Sequence, residues 1–172
     1  MPTLTNIGPP PAAVQHELAI GVGPVTLPPY LDRRQIVTRA SRAKLTLAEF
    51  DQWAAPLQDT VAHVLAENLA LLIPTERVWL APWPRTAAVD YQVLVEVTRF
   101  DGTTGGEVVL AARWSLVTAE EKELLMRQAR FSAPACEQDY EVTATAMSQA
   151  LGALSRDIAA AIQTMAPPAS TR

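Results

Sequence analysis

Alternating apolar and polar residues dominate the middle of the chain. From Tyr91 to Val97 every second residue is apolar, and the same period returns from Val108 to Leu116. A period of two places the apolar residues on one face of a β-strand and the others on the opposite face. Because the Gly-rich segment 101–106 separates the two runs, they are predicted to form a β-hairpin.

Shorter strand-like runs lie on both sides of this hairpin. The predicted strands are Leu18–Leu27, Gln35–Ala40, Lys44–Leu47, Arg77–Leu80 and Leu124–Phe131. The pattern Gly21-x-Gly23 interrupts the first of them. It lacks the third glycine of a nucleotide-binding loop, and Pro24 stops a helix from starting there, so a strand bend or bulge is predicted.

Two long segments follow the helical period instead. Between Pro56 and Leu72, and again from about Tyr140 to Met165, apolar residues recur three or four positions apart. Pro56 suits the first turn of the first helix, and Pro74 ends that helix. Each helix has one apolar stripe, so both are predicted to cover a sheet. The predicted fold class is α+β, with two long amphipathic helices on a mainly antiparallel sheet; a mixed sheet is the alternative.

The two ends of the chain differ from this periodic middle. Residues 1–16 contain four prolines and few large apolar groups. They predict a flexible, extended lead, because proline lacks an amide donor and fixes φ. Residues 167–172 predict a frayed tail. Residues 17–166 are predicted to form one domain, a length sufficient to bury its own core.

Composition narrows the classes of function. The chain has 172 residues, of which 19% are charged, and a net charge of −4. It therefore lacks the basic footprint of a nucleic-acid-binding protein. A single cysteine, Cys136, excludes an intrachain disulfide and a multi-cysteine zinc site. No apolar run approaches the roughly 20 residues that cross a bilayer, and no signal-peptide pattern follows Met1.

Catalytic and metal-binding chemistry finds little support. A nucleophilic Cys136 would need an imidazole base, and the two histidines are His16 in the lead and His63 in the first helix. An inert thiol is the favoured interpretation. His63 and Glu67 share a helical face, but they have no third ligand nearby and lie opposite the apolar stripe, where a solvated pair is expected. We therefore predict a protein that is not an enzyme and needs no metal or cofactor.

Asn68 lies on the apolar face of the first predicted helix. A buried amide costs about 1–3 kcal/mol unless its hydrogen bonds are made. The favoured role is structural, in which Asn68 ties down a neighbouring loop or strand end, and a ligand contact is the alternative.

Two proline-bounded loops carry residues suited to binding a partner. Tyr, Trp and Arg dominate protein–protein hot spots, and rigid loops lose little conformational freedom on binding. The predicted partner or oligomer interface comprises Pro28, Pro29, Tyr30, Leu31, Asp32, Arg33, Trp83 and Asp101. The alternative is that Tyr30 and Trp83 fold back over the core.

Short motifs recur in a fixed order over roughly residues 18–165. They are Ile20–Arg33, Gln35–Arg39, Trp53–Leu57, Val64–Leu69, Pro82-Trp83, Arg99–Gly102 and Ala112–Leu116. This ordered set resembles the PqiC-type auxiliary lipoproteins of ABC-type transporters, a family that serves envelope lipid trafficking.

The resemblance implies a non-enzymatic accessory subunit of an ABC- or MCE-type lipid transport system, acting as a docking or capping element. Such lipoproteins are anchored at the periplasmic face of the outer membrane, so a lipid anchor preceding Met1 is expected. The implied partners are an MCE-type periplasm-spanning protein, inner-membrane transporter components and further copies of the chain. The residues by themselves support a soluble α+β domain with aromatic binding loops. A lipid-binding shuttle and a regulatory lipoprotein that binds another envelope enzyme are the alternatives.

Overall fold

The computed structural model describes residues 2–5, 7, 18–73, 75–136 and 139–165. The strands are β1 (Ile20–Thr26), β2 (Gln35–Ser41), β3 (Lys44–Gln52), β4 (Val78–Leu80), β5 (Tyr91–Thr103), β6 (Glu107–Thr118) and β7 (Glu123–Pro134). Helix α1 (Leu57–Leu72) follows β3, and helix α2 (Tyr140–Met165) follows β7. The predicted tail, most of the predicted lead and Pro74 lie outside the described residues.

Every predicted strand and helix is present, with differences at the ends. β3 continues to Gln52, well past the predicted end at Leu47. β5 continues to Thr103, so Asp101 belongs to a strand rather than to the hairpin loop. The predicted bend near Gly23 is confirmed, because the pairing of β1 with β5 shifts register between Val22 and Val25.

The strands form one mixed sheet. β5 pairs antiparallel with β6, β6 with β7, and β2 with β3. β1 pairs parallel with both β4 and β5, and β2 pairs parallel with β5. The α+β class and the two helices are therefore confirmed, whereas the prediction of a mainly antiparallel sheet is wrong and the mixed alternative is correct.

The parallel pairs arise because β1 and β2 share one edge of β5. β6 occupies the other edge along the whole of β5. On the shared edge, β1 lies opposite the segment 91–96 and β2 lies opposite Gly102 and Thr103. The loop 27–34 bridges the gap between β1 and β2, so it lies beside the middle of β5. A hairpin can be recognised in a sequence because its two strands are joined by a short turn. Parallel strands are joined by long connections, so their pairing leaves no such local signal.

Both helices pack on the sheet and on each other. α1 contacts β1 and β4, while α2 contacts β6 and β7. The alternation predicted for the central hairpin is confirmed, since the alternating apolar residues are buried from Val93 to Val97 in β5 and from Val108 to Leu116 in β6. The largest fully buried side chains include Trp114, Phe100, Ile20, Leu65 and Leu151. Each such side chain contributes about 1.5–3 kcal/mol through removal of apolar surface from water.

Two aspartates fix helix α2: Asp139 caps its first turn, and Asp157 binds it to the sheet. Asp139 accepts hydrogen bonds at Oδ1 from the backbone N–H groups of Glu141 (3.0 Å) and Val142 (3.2 Å), which would otherwise lack partners. Further along α2, Asp157 Oδ2 accepts a hydrogen bond of 3.2 Å from the indole Nε1 of the buried Trp114. The helix is thereby fixed to β6.

Candidate functional site

The loop between β1 and β2 folds into a tight turn over the edge of β5. Residues Pro29–Leu31 form one turn of 3₁₀ helix, in which the backbone N–H of Leu31 donates to the carbonyl of Pro28 over 3.0 Å. Two consecutive prolines restrict φ at the start of this turn. Leu31 is only 3% exposed and packs in the hydrophobic core, so it anchors the loop to the core.

The carboxylate of Asp101 binds the loop through Tyr30. The hydroxyl of Tyr30 donates to Asp101 Oδ2 over 2.6 Å, and the same hydroxyl accepts a hydrogen bond of 3.2 Å from the backbone N–H of Phe100. The hydroxyl thus acts as donor and as acceptor at once. Because Asp101 and Phe100 lie on β5, the turn is fastened to the central strand of the sheet.

Two arginines complete this cluster. Arg39 Nη2 lies 3.2 Å from Asp101 Oδ2, and Arg99 Nε lies 3.1 Å from Asp101 Oδ1. The Asp101 side chain has no exposed surface, whereas the arginine side chains are 22% and 23% exposed. The guanidinium of Arg39 also lies 5.5 Å from the ring centroid of Tyr30. We refer to Tyr30, Arg39, Arg99 and Asp101 as the Asp101 cluster.

The cluster shifts the protonation equilibria of two of its members. Burial, reinforced by the hydrogen bond to Asp101, raises the pKa of Tyr30 to about 12. The hydrogen bond with Asp101 likewise raises the pKa of Arg39 above its usual value. Tyr30 is therefore a neutral donor and Arg39 a permanent cation at neutral pH. The arrangement fixes a surface loop by charge-assisted bonds.

The Asp101 cluster lies on the sheet face opposite the helices. A side chain added at Gly102 would touch Thr143 Cγ2 on α2 at 3.6 Å, so Gly102 faces the helical layer. Successive residues of a strand point to opposite faces. Asp101 therefore projects from the face opposite the helices, and the hydroxyl of Tyr30 reaches its carboxylate there.

The structure divides the predicted interface residues into three groups. Pro29, Asp32 and Arg33 are exposed on the loop, with Pro28 and Tyr30 partly buried. Leu31 and Asp101 are buried, so neither offers a contact surface to a partner. Asp101 was predicted there because the sequence does not show that β5 extends to residue 103, and Leu31 because it belongs to the proline-bounded loop. Because Leu31 packs in the core and Asp101 binds Tyr30, the two residues hold the exposed part of the loop in place.

Trp83 lies apart from the Asp101 cluster. A side chain added at Gly21 would lie 2.5 Å from the indole Cη2 of Trp83, so the ring packs directly on the backbone of β1. Trp83 is partly buried there, as the fold-back alternative supposed. Its neighbours are the first half of β1, whereas Tyr30 follows the end of that strand.

Sequence reasoning missed Arg39 and Arg99. Both belong to the ordered family motifs, but the predicted interface includes neither of them. The available signal was the pair Arg99-x-Asp101, two residues of opposite charge that share one face of a strand. A carboxylate in a strand with apolar neighbours needs a cationic partner if it is buried.

Asn68 joins α1, α2 and the start of the chain. It is fully buried, its Nδ2 donates to Ser155 Oγ over 2.9 Å, and its Oδ1 accepts a hydrogen bond of 2.9 Å from the backbone N–H of Ile7. Residues 2–5 and 7 thus contact the helices instead of leading away from them as the predicted flexible lead would. His16 and the rest of that lead lie outside the described residues.

The residues considered for catalysis or metal binding do not converge. Cys136 is exposed, and so is His63, whose Nδ1 lies 2.8 Å from the carbonyl of Asp59 one turn earlier in α1. Glu67 is exposed one turn later. Within the described ranges no group of three or more His, Cys, Asp or Glu side chains is arranged to hold a metal ion. Among those same residues, no helix has the length and apolar character to cross a membrane.

Comparison with known proteins gives consistent matches over most of the chain. The model of the family described as ABC-type transport auxiliary lipoprotein component matches residues 3–159. The intermembrane transport lipoprotein PqiC of Escherichia coli (strain K12) is 26% identical over 150 residues, which cover 85% of this chain and 78% of PqiC. PqiC of Shigella flexneri matches to the same extent.

Two crystal structures share the fold. One, of an uncharacterized protein, superposes with a TM-score of 0.76 at 22% identity and covers 94% of this chain and 98% of its own. The other, of a protein from Xanthomonas campestris, has a TM-score of 0.75 at 18% identity, with coverages of 96% and 97%. At these identities the likeness supports the fold alone.

Proposed function

We propose that this chain, which belongs to the family of ABC-type transport auxiliary lipoprotein components, is a non-catalytic subunit of an envelope lipid transport system. The name of its PqiC relatives, intermembrane transport lipoprotein, supports transport between membranes as the process it serves. In this proposal a lipid anchor holds the domain at the periplasmic face of the outer membrane. The domain docks there onto an MCE-type periplasm-spanning protein, which connects it with inner-membrane transporter components.

The observation that carries the docking role is the rigid loop on the open face of the sheet. The Asp101 cluster and the buried Leu31 immobilise its base, so the exposed residues of the loop are presented in a fixed geometry. A preorganised loop loses little conformational entropy on binding, which leaves more of the contact energy as affinity. Such a loop favours a binding module over an enzyme.

Asp32 and Arg33 are the residues expected to meet a partner. Both are exposed in the loop, directly after the buried Leu31. Exposed charges of opposite sign set the orientation and the rate of association more than they set the affinity. The partner, whether the MCE-type protein or a second copy of this chain, is expected to carry the complementary pair of charges.

The groove over β6 and β7 favours docking over a lipid shuttle. It measures about 320 Å³ and is lined by the exposed polar residues Thr98, Arg113, Gln128 and Arg130, together with Ala111, Ala112 and Ala129. Another, of about 360 Å³, lies between α1 and the segment after β4. A site that carries lipid acyl chains is enclosed and mainly apolar. The open, polar groove over β6 and β7 does not fit that requirement.

A charge-reversal experiment tests the docking loop. The double variant Asp32→Lys/Arg33→Glu changes only exposed side chains and is expected to leave the fold intact by circular dichroism. Co-purification with the MCE-type partner and light scattering of the assembled mass are expected to show binding weakened at least about tenfold. The reason is that the reversed side chains would face partner charges of the same sign across the interface. Arg85→Glu, exposed in the segment after β4, is the matched control. Unchanged binding by the double variant would refute the docking role of this loop.

A further inference from the structure

The first residues of the chain lie across the seam between α1 and α2. Pro2 and Leu4 are buried, whereas Thr3 and Thr5 are exposed, so the segment has an inner and an outer side. Leu4 packs within the main hydrophobic core. We refer to residues 2–5 and 7 as the N-terminal strap.

Polar side chains that are buried in the helices bind the strap. The backbone N–H of Thr5 donates to Ser148 Oγ, and that of Ile7 donates to Asn68 Oδ1, each over 2.9 Å. Asn68 is in turn held by Ser155 on the facing helix. Polar groups are rarely buried in a helix seam without partners, and the backbone of the strap supplies those partners.

The shape of the seam matches the strap as well. A side chain added at Gly152, in the middle of α2, would lie 2.9 Å from Cγ2 of Ile7. Glycine within a helix is unfavourable relative to alanine, so its place here serves the close approach of the strap. Hydrogen bonds and shape both indicate a receptor site that this chain fills with its own first residues.

We propose that the strap orients the domain on the membrane, with the helical layer toward the bilayer and the docking loop toward the periplasm. This inference rests on the proposed function, in which a lipid anchor precedes the strap. A flexible lead of 16 residues would span roughly 20–24 Å and let any face approach the lipid. A bound strap instead fixes the point where the anchored chain leaves the domain, at the α1–α2 seam. Asp101 projects from the opposite face of the sheet and binds Tyr30 of the loop. In this orientation the loop that carries Asp32 and Arg33 is therefore expected on the side of the sheet away from the bilayer.

Thermal unfolding tests whether the strap is bound. Residues 2–7 are replaced by a Gly/Ser segment of equal length in the full chain. The melting temperature is expected to fall by about 4–8 °C, which at about 2–4 °C per kcal/mol for a chain of this size corresponds to a loss of about 2 kcal/mol. An acetylated peptide of residues 2–7, added in excess, is expected to restore part of the loss, and a scrambled peptide to restore none. An unchanged melting temperature after the replacement would overturn the proposal.

Energy transfer to a vesicle surface tests the orientation. A hexahistidine tag placed directly before Pro2 tethers the chain to vesicles that contain nickel-chelating lipid and an acceptor-labelled lipid. In a Cys136→Ser background, a donor dye is attached at Ala160→Cys on the exposed side of α2 or at Arg33→Cys on the loop. Transfer is expected to be clearly higher from position 160, and the difference is expected to vanish in the Gly/Ser variant.

Equal transfer from both positions in the chain with an intact strap would refute the proposed orientation. Neither measurement involves the transport partner. Failure of the docking experiment on Asp32 and Arg33 would therefore count against the proposed function without affecting these results. Conversely, normal binding to the partner together with equal energy transfer from both positions would support the proposed function and refute the proposed orientation.

Discussion

Tyr30 donates its phenolic hydrogen to the buried carboxylate of Asp101 over 2.6 Å, across 71 positions of sequence. This bond connects a surface turn to the central strand of the sheet. Tyr30, predicted from the sequence as an interface anchor, is partly buried and holds the loop that carries Asp32 and Arg33. We therefore expect variants at Tyr30 to report on the stability of the loop, and variants at Asp32 and Arg33 to report on the proposed binding.

Replacement of Tyr30 by phenylalanine is expected to destabilise the domain by about 1–3 kcal/mol. The variant keeps the ring but leaves a carboxylate oxygen and the N–H of Phe100 without their hydroxyl partner. Urea unfolding measures the effect. Tyr91→Phe is the control, because within the described part of the chain the hydroxyl of Tyr91 makes a single exposed contact, 3.4 Å from the carbonyl of Met165. Equal stability of the two variants would contradict the assigned role of Tyr30.

The phenol of Tyr30 is expected to titrate above the ordinary value for tyrosine. Its pKa of about 12 lies above the ordinary value of 10, so the folded protein holds this proton more tightly than the unfolded chain does. The stabilising contribution is therefore complete below about pH 10 and is lost between pH 10 and 12. Ultraviolet difference titration of the three tyrosines is expected to show one late component that is missing from Tyr30→Phe. A single transition near pH 10 would contradict this.

Asp101→Asn is expected to cost about 3 kcal/mol, near the lower end of the range for breaking a buried ion pair. The amide has nearly the same shape but leaves Arg39 and Arg99 facing a neutral group. The lower end applies because both arginines remain partly exposed to water. Glu96→Gln breaks the exposed pair with Arg113 and is expected to change the free energy of unfolding by less than about 0.5 kcal/mol. Denaturant unfolding of both variants tests the contrast.

Gly21→Ala is expected to displace Trp83 and to cost about 1–3 kcal/mol through overpacking. The added methyl would lie within 3 Å of three atoms of the indole ring. Tryptophan emission is expected to shift to longer wavelength, and Trp83→Phe to abolish that shift. Gly105→Ala, where the nearest atom would lie at an ordinary 3.6 Å, is the control and is expected to be nearly neutral. Unaltered emission of Gly21→Ala would show that Trp83 does not pack on β1.

The sequence alone was sufficient for the local structure and for the family. Periods of two and of 3.6 residues located every strand and both helices, because burial of one face of each element imposes that spacing. The helix wheel also placed Asn68 on the inner face of α1. The ordered motifs indicated the auxiliary lipoprotein family, which the family model confirms.

Only the tertiary structure decided which distant residues meet. The parallel pairing of β1 and β2 on one edge of β5, the burial of Asp101 beneath Tyr30 and the binding of Ile7 to Asn68 all join residues 60 or more positions apart. Such contacts form when packed elements close long loops, and they leave no periodic trace in either partner. Composition and spacing therefore predict the elements of this protein, while the support of its docking loop and the course of its first residues follow from how those elements pack.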